Sequence, residues 1–594
     1  MTPPSPFHSF RFLAPALFAS AFAALLPACS PATAVAEAPE ATDDAEEVGE
    51  VASAAMLAER DALLNDLHDL PIFSLKPLAQ EPVPQPVGAH IKDEAAAIRL
   101  GKALFWDVQA GSDGQTACAS CHFHAGADDR RINTIHPGLD GAFTSGGVTG
   151  PGQNFTPAII DSDDRVGSQG MHRALFVGLS SDPTNPAEEC LLLPAAPFNN
   201  ERQVGFRHSP TVIGAVFSRD QFWGGEGNHV FNGLNIWGLT GNNQSPPFIA
   251  VENASLASQA VGPIGNFTEM SCSGRSLFGP GSLGTKMLAR TPLQFQRVAT
   301  DDSVLGPLAN PTGPGLVCNG APCTYAELIG AAFGPAFAPV AEGLFSLIWG
   351  EAVQAYEATL VPDQTPFDRF LEGDLSALTL RQVRGLVQFA GKGRCINCHL
   401  GPMLSDATVS AFAERGPLNR DGGDLGFHNI GVRPTEEDLA RGDLGIFGGV
   451  PNSVSGSTFD LGAFKTPTLR NIKLTAPYFH TGGYPTLDDV VDFYSRGGDF
   501  ANAEKSTDIQ PRNFNARERK ALVDFLANAL TDCRVEKEQA PFDHPELVIP
   551  NRTALPAVGA KGLGPCKKLE RQRLAFEPRA SSDRDQIRAH ARKA

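Results

Sequence analysis

Two short motifs constrain this chain more than anything else in it: Cys118-Ala119-Ser120-Cys121-His122 and Cys395-Ile396-Asn397-Cys398-His399. Each sets two thiols on one turn with an imidazole directly after, the pattern for attaching haem c through two thioethers with the histidine on iron. A zinc ribbon needs two cysteine pairs close in sequence, and these lie far apart. A lone redox dithiol has no use for the histidine that both copies keep. The motifs therefore predict two covalently bound haem c groups.

The first question they raise is what else must fold around them. At 594 residues and 42% hydrophobic content, the chain has material for two or more packed cores. Helix-like stretches lead into both motifs: AAAIRLGKALFWD before the first and TLRQVRGLVQFAGKGR before the second. In the latter Val383, Leu386, Val387 and Phe389 make one apolar side. Near the end of the second unit NARERKALVDFLANAL reads as a helix capped by Asn515, with Glu518 three residues on and Leu522, Phe525, Leu526 and Ala529 buried. The fold class expected is mainly α: two cytochrome-c-like haem domains, 83–360 and 361–535, with long loop insertions in the first. Sixty glycines and 47 prolines agree with ordered loops around a helical skeleton, and 137–210 and 232–320 read as such loops. Residues 536–594 are polar and read as a tail that wraps the surface or frays.

The ends and the charge bound the setting. A formal charge of −18 and a pI near 5.2 exclude a nucleic-acid partner. Residues 1–29 read as a signal peptide: Arg11, an apolar run too short and alanine-rich for a membrane span, then Leu26-Pro27-Ala28-Cys29. That end resembles a lipobox, with proline where a smaller residue is usual; the alternative is an ordinary cleaved signal. Residues 30–82 form a tether and lead-in. The expectation is a periplasmic protein, lipid-anchored to the outer membrane through Cys29 and touching a membrane in no other way. Of eleven cysteines, six lie outside Cys29 and the motifs, enough for three disulfides in an oxidising compartment. Cys318–Cys323 is the expected local pair, and Cys533–Cys566 would tie down the tail.

Beyond the motifs, five blocks carry a resemblance: LGKALFWDVQAGSDGQTACASCH, SPTVIGAVFSRDQFW, NASLASQAVGPIGNFTEM, CINCHLGPM and FKTPTLRNIKLTAPYFHTGGYPTLDDVVDFY. In this order, across roughly 95–535, they resemble the bacterial di-haem cytochrome c peroxidases and the related methylamine-utilisation enzyme MauG. The resemblance implies that the first haem, on His122, meets hydrogen peroxide, with Gln259, Pro263 and Glu269 on its open face. It implies that Trp223 lies between the haems and carries electrons, and that the second haem, on His399, stores or relays an oxidising equivalent. Splitting an O–O bond requires a proton moved from the inner to the outer oxygen, which a carboxylate can do. By composition alone Glu269 would read as a solvated loop carboxylate and Trp223 as core. The family's Asp-Gly-Arg after that tryptophan is here Gly224-Gly225-Glu226. The family also holds calcium between its domains, implying carbonyl ligands at Thr475 and Pro477. Its usual asparagine falls at His208, however, and an imidazole is a poor ligand for a hard cation. A loop histidine gates the first iron in many members; here His136 is near that loop but out of register, and His124 is too close to His122 to reach the opposite face.

The second iron's other ligand decides what that haem is for. Methionine there raises the reduction potential, and Met403 is the one methionine in the second unit. It follows His399 by four residues, on the same side of the ring. The family places the ligand fourteen residues beyond the histidine of APYFH, which is Tyr494 counted from His480. TLDDVVDFY reads as a helix capped by Thr486, with Leu487, Val490, Val491 and Tyr494 on one inward face. A phenolate is hard and anionic and lowers the potential; MauG has tyrosine at this position. The alternative is a core tyrosine bonded to backbone. The resulting expectation is a di-haem peroxidase using hydrogen peroxide, with an electron donor or an oxidisable substrate as partner. Two other readings stand beside it: a di-haem oxygenase activating O₂, like the rubber-cleaving relatives, and a non-enzymatic two-haem electron carrier. Insertions at 137–210, 232–255 and 271–345 name no partner.

Overall fold

The helix before the first motif forms where its caps and periodicity put it, as α1 (Glu94–Trp106), with the Asp93 side chain accepting the Ala96 N–H. The computed structural model describes residues 58–63, 83–144, 163–183, 185–239, 249–442 and 453–566. The signal peptide, Cys29, most of the tether and the end of the chain lie outside the described residues.

Following α1, the first insertion departs from the loop expectation. It folds strands β1 (Gln169–His172), β2 (Ala174–Leu179), β3 (Glu188–Leu192) and β4 (Arg202–Val204). Strand β2 pairs antiparallel with β3 as a hairpin, and β1 pairs antiparallel with β4. Helices α2 (Ser255–Ala260), α3 (Tyr325–Phe333) and α4 (Phe345–Glu357) then complete the first core around α1. Residues of α4 are buried on nearly every side, as a helix at the centre of a core must be. It meets α1 at Gly101, where a Cβ would stand 1.9 Å from the Ala352 carbonyl oxygen.

The second core repeats this plan. Helix α5 (Leu380–Ala390) is closed by a Thr379/Gln382 capping box and leads into the second motif. α6 (Leu487–Arg496) starts at Thr486 as expected, and α7 (Ala516–Asp524) starts at the Asn515/Glu518 capping box. Here α7 passes into a π-helical turn at Phe525–Ala529, which carries Phe525, Leu526 and Ala529 into the core. α5 crosses α7 at Gly385, where a Cβ would stand 2.1 Å from the Ala521 carbonyl oxygen. Each helix leading into a motif therefore crosses a later helix at a glycine. That shared geometry is the clearest structural trace of the duplication seen in sequence.

The tail is a correction. Val535, Phe542, Leu547 and Ile549 join the first core, and Asp543 lies 3.5 Å from the buried Lys102 ammonium, which also pairs with Asp302. Proline and polar residues hid this, because the burying residues are spaced singly. Cys318–Cys323 and Cys533–Cys566 are disulfides, and Cys190 pairs with Cys272.

Candidate functional site

Among the described residues, the cysteines outside disulfides are Cys118, Cys121, Cys395 and Cys398, the two motif pairs. The histidine of each motif is prepared in the same way. His122 Nδ1 is 2.9 Å from the Gly126 carbonyl oxygen, and His399 Nδ1 is 2.9 Å from that of Leu404. Donating from Nδ1 leaves Nε2 with its lone pair free for a metal, and fixes the ring's orientation. Burial lowers both imidazoles' affinity for a proton, which also favours the neutral, ligating form.

At the second motif these groups face a cavity of about 210 Å³. Cys395, Cys398, His399 and Tyr494 line it, with Leu487, Val490 and Val491 of the same α6 face beside the tyrosine. Phe493 and Phe479 pack against the Tyr494 ring at 5.0 and 6.2 Å between centroids. Its hydroxyl has no hydrogen-bond partner among the described residues, and burial holds it strongly protonated, with the two thiols adding to the effect. An apolar cavity with two thiols outside disulfides, an oriented imidazole and a phenol without a hydrogen-bond partner fits a haem. Met403 lines the same cavity, and its side chain packs with Val216, Phe217 and Leu256.

At the first motif, α2 carries Gln259, and a 3-10 turn from Pro263 to Gly265 leads on to Glu269. Glu269 is partly accessible, yet desolvation alone raises its carboxyl to about 7. Its charge is felt at both Cys118 and Cys121, so the distal block and the attachment cysteines converge. Beside them Arg130 reaches Cys121 Sγ at 3.6 Å while paired with buried Asp128 at 2.6 Å. Sequence reasoning passed over Glu357, at the end of α4, which is 1% exposed with Oε2 unpartnered and its pKa raised to about 8 by burial. A carboxylate spaced within the run Trp349, Ala352, Val353 and Tyr356 was the available signal.

Between the sites, Trp223 lines the second cavity, donates from Nε1 to the His208 carbonyl at 2.6 Å, and meets the His480 ring at 6.3 Å. His208, Thr475 and Pro477 line the same cavity. His208 is 5% exposed and neither ring nitrogen has a partner; burial drops its pKa to about 4. A neutral nitrogen donor there does not fit calcium, which takes six to eight oxygens, and no step is drawn through that ion. His136 sits on a short strand opposite Arg165, edge-on to Phe198 and Phe206. His124 Nδ1 is bonded to the Leu474 carbonyl.

Fold and site together define a mainly helical protein with two similarly prepared Cys-x-x-Cys-His sites. The family model described as di-haem cytochrome c peroxidase matches residues 95–376, just under half of the chain. Its match includes the first motif and ends before the second. A cytochrome-c peroxidase, IdrP2, of Denitromonas iodatirespirans is 37% identical over 29% of this chain and 46% of its own length. Methylamine utilization protein MauG of Methylorubrum extorquens is 33% identical over 30% of this chain and 42% of its own. The chain thus spans about half the length of the curated relatives it matches. Among solved structures, a MauG-like protein associated with microbial copper homeostasis aligns over 79% of this chain and 97% of its own at 21% identity, with a TM-score of 0.43.

Proposed function

We propose that this chain is a di-haem c-type peroxidase that takes hydrogen peroxide at the first motif and holds oxidising equivalents at the second, where Tyr494 is the ligand opposite His399. The observation that carries this reading is the Tyr494 hydroxyl, unpartnered in the cavity that also exposes Cys395, Cys398 and His399. A half-buried phenol that faces a cavity beside two thiols and an oriented imidazole is free to serve a group bound there.

Bound haem supplies the electron-transfer chemistry at both sites. The chain's own residues supply protons and geometry. Deprotonated Glu269 takes the proton from the inner oxygen of hydrogen peroxide and returns it to the outer oxygen, which leaves as water. Gln259 orients the peroxide through its amide, and Pro263 shapes the turn that aims Glu269. Trp223 carries electrons between the sites. At the second site Tyr494 would give up the proton that burial holds on it to bind iron as a phenolate, and a haem held so would favour the more oxidised state, which suits withdrawing electrons from a donor or an oxidisable substrate rather than serving as a simple inlet. Thr475 and Pro477 help wall this cavity, without calcium.

Export and outer-membrane anchoring through Cys29 belong to the same proposal, supported by the sequence at 1–29. Radiolabelled palmitate should enter the wild-type chain and not C29A; equal labelling would remove the anchor.

The test of the activity is a peroxide titration of the diferric and reduced holoprotein, followed by absorption and EPR. One equivalent of peroxide should oxidise the diferric protein, with loss of a high-spin ferric signal. Two six-coordinate low-spin signals and no reaction would mean an electron carrier. Reaction of the reduced protein with O₂ alone would mean an oxygenase.

A further inference from the structure

The Glu269 side chain has no hydrogen-bond or ion-pair partner among the described residues, so its aim is set by its backbone, whose N–H donates to the Asn266 carbonyl at 3.2 Å. That backbone is held by the first insertion. Met171 N of β1 donates to the Thr268 carbonyl at 3.2 Å. Its neighbour Gly170 lies so close that a Cβ would stand 2.1 Å from the Thr268 oxygen, 2.6 Å from the Glu269 oxygen and 2.7 Å from the Glu269 Cα. No side chain other than hydrogen fits there, since all three contacts are with backbone.

The hairpin β2–β3 grips the same segment at both ends. Downstream, Ser273 N donates to the Ala174 carbonyl at 2.8 Å, Phe176 N donates to Ser273 at 3.0 Å, and Cys272 is disulfide-bonded to Cys190 of β3. Upstream, Arg275 joins Glu188 of β3, at 2.8 Å, to the carbonyl oxygen of Ile264. Glu188 and Arg275 are both fully buried at their side chains, and Lys286 makes a second pair with Glu188. The loop from Ile264 to Cys272 is thus strapped from outside.

We propose that this insertion is the positioning device of the first site: Gly170, the Glu188–Arg275 pair and the Cys190–Cys272 disulfide together aim Glu269. The proposal rests on the reading of Glu269 as the proton carrier. It gives the strands that the sequence did not announce a role in the reaction, without their touching substrate.

The experiment compares G170A, C190A/C272A and G178A in the holoprotein, with E269Q alongside. Gly178 lies in the same hairpin, and a Cβ there meets nothing within 4 Å, so G178A controls for an added methyl. Each variant is read for the pH profile of the peroxide reaction, for haem content, and for amide hydrogen exchange over 264–273. G170A should slow the reaction by about 10²-fold, the scale of a 1 Å misplacement, shift the midpoint of the pH profile and speed exchange. C190A/C272A should do the same more weakly, and G178A should match the wild type. Where G170A fails to fold, C190A/C272A decides. Wild-type profiles and exchange in both variants, with E269Q slow, would overturn the strap and leave the role of Glu269 standing. An unaffected E269Q would instead overturn the underlying reading.

Discussion

Desolvation without a compensating partner is what would suit Glu269 to its proposed role. Its carboxyl, raised to about 7 by desolvation, is largely protonated in mild acid and free to accept a proton above neutrality. The rate of the peroxide reaction should therefore rise with pH through a midpoint near 7, as stopped-flow absorption would show. Substitution to glutamine should remove that rise and slow the step by about 10²- to 10⁴-fold; a rise that persists in E269Q would assign it to another group. Met403 makes the opposite case. It lines the second cavity but is 2% exposed and packed among Val216, Phe217 and Leu256; with Tyr494 as the proposed ligand, M403L should leave the low-spin haem spectrum unchanged. Its cost in chemical denaturation should be under about 1.5 kcal/mol, as for a volume-conserving core swap. Tyr494 and His208 show what sequence could give. Tyr494 was legible because capped, amphipathic α6 forces its face inward, whereas the unpartnered state of His208 depends on neighbours far away in the chain.

Helices were readable where their signals are local. Asn515 with Glu518, and Thr486, were read as caps and satisfy orphan N–H groups within one turn, so α7 and α6 start where those residues put them; the structure adds Asp93 as the cap of α1 and Asp489 as the partner of Thr486. Strands β1 to β4 were not readable. Their partners are decided by pairing across the insertion, and QGMH or RQV carries no alternation long enough to reveal a face. The glycine crossings were hidden for the same reason, since Gly385 looks like an ordinary weak point in a helix until Ala521 is seen against it. G385A should destabilise the second core by about 1–3 kcal/mol through overpacking. Denaturant unfolding followed by fluorescence would read this; wild-type stability would mean that α5 and α7 are free to separate.

Across the whole molecule, the first core depends on residues from both ends of the described chain. Lys102 of α1 and Asp543 of the last segment share one buried charge cluster with Asp302, and Cys533–Cys566 closes the 33-residue span that carries Asp543. Removing that disulfide should cost about 3–4 kcal/mol by loop entropy and lower the calorimetric melting temperature of C533A/C566A; an unchanged melt would mean that core burial alone holds the segment. What the whole molecule does turns on whether the second site stores oxidising charge or only passes electrons in. Low-temperature EPR of the ferric holoprotein, wild type against Y494F, answers it most directly. The low-spin signal of the second haem should be replaced in Y494F by a high-spin signal or one of different g-values, with haem content unchanged. An identical low-spin signal in Y494F would contradict the assignment of Tyr494 to that iron.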